Sequence, residues 1–139
     1  MNKLIIGFLI GLLLYGCDNT NPDTARKLKQ GMITGSDEGA SFNWKGIAFA
    51  EPPTGALRWR APRPAAAWEG TRSATEFRSA CFQPGGLFGG SDETWSGSED
   101  CLYLNVWSPA LTKDEALTQK LPVMMWIHGG ANVIGSTDS

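Results

Sequence analysis

Apolar and polar positions alternate unevenly along this chain, and the unevenness marks out its parts. Met32 to Gly35 and Ser41 to Ala50 read as short strands separated by the acidic turn Asp37-Glu38-Gly39. In "CLYLNVWSP", Leu102, Leu104 and Val106 fall on one face of a predicted strand, with Tyr103, Asn105 and Trp107 on the other. Leu121 to Ile127 is continuously apolar, which predicts a strand buried on both faces rather than one facing water. It stops at His128-Gly129-Gly130-Ala131, where paired glycines allow a sharp turn and a close approach to the backbone.

The stretches between are irregular. Glu51 to Gly70 holds Pro52, Pro53, Pro62 and Pro64, which excludes a regular helix or a central strand. It is expected to run as extended surface chain pinned by Leu57, Trp59 and Trp68. Phe82 to Asp100 reads as a glycine-rich loop, and Ala110 to Lys120 as a solvated connection with one helical turn. Strands this apolar need cover on both faces, and the chain offers almost no helix to give it. The expectation is the front piece of a larger α/β domain, its sheet incomplete.

The N-terminus stands apart. Lys3 is followed by an apolar run from Leu4 to Tyr15, well short of the ~20 residues that span a bilayer as a helix. Residues 1–16 therefore read as an export signal, the alternative being a short membrane anchor. Leu14-Tyr15-Gly16-Cys17 resembles the lipobox of bacterial lipoproteins, with Tyr15 bulkier than the small residue usual there. That resemblance implies lipid on Cys17 and a protein held on a membrane surface of the cell envelope, or secreted if Cys17 is not modified. Residues 17–31, polar and containing Pro22, then form a tether.

Charge and cysteine content narrow the picture further. A net charge of −2, with no runs of either sign, leaves no electrostatic footprint for nucleic acid. Of three cysteines, Cys81 and Cys101 remain if Cys17 carries lipid, and an oxidising compartment favours their pairing over two buried thiols.

Four ordered stretches resemble one family. "FNWKGIAFAEPPTGALRWRAP", "WEGTRSATEFRSACFQ", "SEDCLYLNVWSP" and "PVMMWIHGGANVIGS" are similar to the N-terminal part of type B carboxylesterases, the carboxylesterase/cholinesterase group of the α/β-hydrolase fold. The resemblance covers residues 32–139 and departs from the common pattern at Ala48, Phe49 and Asn132. It implies the first strands of a mixed α/β-hydrolase sheet, stopping before the nucleophile elbow. It also implies a serine esterase acting on small carboxylic esters without metal or organic cofactor. The oxyanion hole falls to Gly129, Gly130 and Ala131, a disulfide to Cys81 and Cys101, and an internal ion pair to Arg58 and Glu99. Trp95 is read as a loop-packing residue, its spacing to Cys101 differing from that of choline-handling relatives.

No G-x-S-x-G occurs in these residues, and the triad order of this fold places its His after the nucleophile. His128, the sole histidine, is therefore expected to pack and hydrogen-bond beneath the glycine loop rather than act as the base. The serine, acid and histidine of the triad lie outside the sequence, so residues 1–139 are expected to be inactive alone. Two other readings remain open: a catalytically inactive binding or adhesion module on the same fold, and a small disulfide-stapled lipoprotein.

Overall fold

The computed structural model describes residues 21–85 and 94–137. The predicted signal and Cys17 lie outside the described residues, as does the middle of the glycine-rich loop.

Short strands dominate. β1 (Ala25–Lys27) runs antiparallel to β2 (Met32–Thr34), and β5 (Thr71–Ser73) lies parallel on the other side of β2. A second sheet orders β3 (Ser36–Asp37), β4 (Ser41–Ala48) and β8 (Tyr103–Pro109), all antiparallel. A small pair joins β6 (Gln83–Pro84) to β7 (Trp95–Ser96). The one α-helix among the described residues, α1 (Lys113–Thr118), opens on a capping box: Thr112 Oγ1 accepts the Glu115 N–H, and Glu115 accepts the Thr112 N–H. The Thr112 hydroxyl, donating to Glu115 Oε2 at 2.8 Å, and then the Thr112 backbone N–H hold the Glu115 carboxyl below its ordinary pKa.

β4 is the spine because it carries the core. Phe42 and Trp44, edge-on with ring centroids 6.4 Å apart, are buried with Ile33 and Ala74. The two larger sheets are stitched through one residue: the Ala74 N–H donates to Thr34 O at 2.8 Å, and Ala74 O accepts the Lys45 N–H at 2.7 Å. The register of β4 against β8 shifts between Trp44 and Ile47. At this bulge the Gly46 N–H turns to Asn105 Oδ1 at 2.8 Å rather than staying in the ladder.

The structure departs from the sequence expectation in several places. Residues 22–27, expected within the polar tether, form a 3₁₀ turn and β1. Trp44 explains this, since its indole N–H donates to Thr24 O at 2.7 Å while the Arg26 guanidinium lies 4.7 Å from its ring centroid. Within the proline-rich segment Trp68 is a pin, its indole N–H donating to Met32 O at 2.9 Å, but Trp59 is 90% exposed and pins nothing. Leu121 to Ile127 is neither paired nor buried: Val123 and Met124 are 92% and 94% exposed. An apolar run supplies the side chains for a buried strand, but a strand also needs a neighbour for its N–H and C=O groups. Among the described residues none lies alongside. β8 has the predicted alternation, yet Leu104 and Val106 remain 39% and 40% exposed, their sheet face open.

Candidate active site

The segment after Ile127 folds back on itself. The N–H groups of Val133 and Ile134 both donate to Gly130 O, at 2.9 and 3.1 Å. Gly130 has φ +121°, and a Cβ there would lie 1.7 Å from Ile134 O, so only glycine fits. Ala131 and Asn132 follow at φ 54° and 59°, two successive left-handed residues. Asparagine tolerates that conformation far better than a bulky or β-branched residue, which gives Asn132 a backbone reason. Among the described residues no acceptor takes the N–H groups of Gly129, Gly130 or Ala131. Three adjacent donors are thus left for a ligand or for solvent.

Other residues hold this loop. His128 Nδ1 donates to Gly129 O at 2.8 Å, a hydrogen-bonding role within the loop. Gln83 pairs with Gly135 through both ends of its amide: Nε2 donates to Gly135 O at 3.0 Å, and the Gly135 N–H donates to Oε1 at 2.5 Å. Asn105, which accepts the Gly46 N–H, also donates to Thr137 Oγ1 at 2.8 Å. Neither Gln83 nor Asn105 stands out in the sequence as more than a polar residue near a strand.

Beneath the loop lies the disulfide region. Cys81 and Cys101 are bonded, with Cα atoms 4.9 Å apart, and border a small cleft with Arg78, Tyr103, His128 and Gly135. Burial first, and then a 2.8 Å hydrogen bond to Asp100, push the Tyr103 phenol up, favouring its neutral form. Trp95 stacks on Phe82 with centroids 5.3 Å apart. Among the described residues no cluster of His, Cys, Asp and Glu is placed to hold a metal.

Arg58 and Glu99 meet through one contact, Nε to Oε1 at 2.5 Å, rather than a two-pronged grip. Both side chains are about half exposed, so water screens the pair. A double-mutant cycle with Arg58→Ala and Glu99→Ala is expected to give a coupling of only about 0.2–1 kcal/mol, shrinking as salt rises. A salt-independent coupling above ~2 kcal/mol would mean that the contact is buried in solution.

The carboxylesterase family profile matches residues 22–139. The chain is 43% identical over 107 residues to the para-nitrobenzyl esterase of Bacillus subtilis (strain 168), covering 76% of this chain and 21% of that one. It is 42% identical over 116 residues to the fumonisin B1 esterase of Sphingopyxis macrogoltabida, covering 84% of this chain and 20% of that one. Among solved structures, a carboxylesterase of Geobacillus stearothermophilus superposes with a TM-score of 0.69 at 40% identity, covering 84% of this chain and 22% of the other. The chain thus spans about a fifth of the length of the relatives it matches.

Proposed function

We propose, from the premise that this chain belongs to the carboxylesterase family, that the polypeptide carrying it hydrolyses small carboxylic esters through an acyl-serine intermediate. Gly129, Gly130 and Ala131 are its oxyanion hole. The observation that carries this reading is the row of three uncommitted backbone N–H groups on the glycine turn. When an ester carbonyl becomes tetrahedral its oxygen gains negative charge, and fixed donors aimed at that oxygen lower the barrier by roughly 3 kcal/mol each. Donors already engaged with carbonyls of their own loop would be unable to do this. The nucleophile, its base and the acid that orients the base come from sequence outside residues 1–139, in the order Ser, acid, His.

The test is turnover of p-nitrophenyl acetate by the full-length polypeptide and, separately, by residues 1–139. The full-length protein is expected to turn over, and to keep doing so in EDTA; the 139-residue chain is not. A well-folded full-length protein without turnover would favour a non-catalytic binding module.

We propose separately that the protein lies outside the cytoplasm, anchored through lipid on Cys17, or secreted if Cys17 is not modified. Its support is the short apolar run ending in a lipobox-like Leu14-Tyr15-Gly16-Cys17. Multiple acyl chains hold a protein on a bilayer where one is marginal. Cys17→Ser is expected to leave the precursor unprocessed or mislocalised, seen as a shift on a gel and in membrane fractionation. A variant that fractionates and migrates as the parent does would rule lipidation out.

A further inference from the structure

Gly135 links the far end of the glycine turn to its beginning. At φ +124° it packs so closely that a Cβ would lie 2.2 Å from His128 Nδ1 and 2.6 Å from Gly129 O. Whatever fixes Gly135 therefore fixes the first peptide of the oxyanion loop. Gln83 fixes it, from 52 residues away, by presenting a primary amide to the peptide N–H and C=O as a neighbouring strand would. Gln83 is itself anchored: it lies in β6, paired with Ser96 of β7, and two residues beyond the bonded Cys81.

We propose that Gln83 is a positioning residue for ester hydrolysis: through Gly135 it sets where the N–H groups of Gly129 to Ala131 point. This rests on the esterase reading above. Neither half of the amide is dispensable. Alanine removes both hydrogen bonds, and glutamate keeps an acceptor for the Gly135 N–H but sets a second oxygen against Gly135 O. A misplacement of about 1 Å in a catalytic group can cost 10²-fold in rate.

The experiment compares full-length parent, Gln83→Ala and Gln83→Glu, with kcat normalised to active sites titrated by a fluorophosphonate. The second readout is inhibition by a trifluoromethyl ketone, whose hemiketal oxygen occupies the oxyanion hole. Gln83→Ala is expected to lose between about tenfold and 10²-fold in kcat, with KM within about twofold, and to bind the ketone more weakly by a similar factor. Gln83→Glu should also lose kcat, because its second oxygen opposes Gly135 O. A residue that merely stabilised the fold would lower the titrated fraction and leave kcat per site and ketone affinity unchanged. If the parent turns over and Gln83→Ala matches it within twofold on both measures, the positioning role is wrong while the esterase reading stands. If the folded parent neither turns over nor binds the ketone, the esterase reading fails and takes this role with it.

Discussion

Gly130→Val in the full-length polypeptide is expected to lower kcat by about 10²–10³-fold, the loss that follows removal of one oxyanion donor. The structure gives the reason in two steps. A Cβ at residue 130 would sit 1.7 Å from Ile134 O, inside any tolerable contact. The φ of +121° is also one that a β-branched residue does not adopt. The turn that sends Val133 and Ile134 back to Gly130 O must therefore open, and the N–H groups of residues 129–131 rotate with it. The damage should stay local, because the core gathers around Phe42, Trp44, Ile33 and Ala74, none of them in this loop. Circular dichroism and the urea midpoint should match the parent closely. KM should move much less than kcat, as an interaction made mainly in the transition state requires. Equal kcat in two well-folded proteins would reduce the glycine turn to a connection.

Opening the Cys81–Cys101 bridge should produce the largest change in stability. The bond closes a loop with a sequence separation of 20, and in the chain-entropy picture it removes about 3 kcal/mol of freedom from the unfolded chain. Cys81→Ala with Cys101→Ala is expected to lower unfolding free energy by that amount, seen as a lower urea midpoint at an unchanged slope. Reductant should shift the parent toward the double variant and leave the variant unmoved. The bridge also steadies Gln83, so the double variant should lose kcat per titrated site in addition to stability. A parent midpoint indifferent to reductant would show that these sulfurs are not bonded in the folded protein.

What the sequence made legible is what local pattern controls. The period of two in Tyr103 to Trp107, and the apolar residues around Ser41 to Ala48, located β8 and β4 because alternating side chains are a property of the strand itself. Cysteine parity, together with the family resemblance, pointed to the bonded pair. β1 escaped detection because Ala25, Arg26 and Lys27 carry no apolar period; a buried indole hydrogen-bonded to Thr24 O orders that stretch from a distance. Leu121 to Ile127 failed in the opposite sense. Its composition suits a buried strand, but pairing depends on a neighbour, and composition says nothing of whether one is there. Gln83 was invisible for a related reason: one amide among many gains a role only when the fold brings Gly135 to it.

The esterase reading is tested most directly by rapid mixing of the full-length polypeptide with p-nitrophenyl acetate, followed by acid quench and mass spectrometry. Covalent catalysis predicts a burst of p-nitrophenol of no more than one equivalent per titrated site when deacylation is slow. It also predicts an acetyl adduct on a serine within a G-x-S-x-G sequence, and loss of both burst and adduct in Gly130→Val. Steady turnover with no adduct on any serine, or an adduct that forms as fast in Gly130→Val as in the parent, would contradict it.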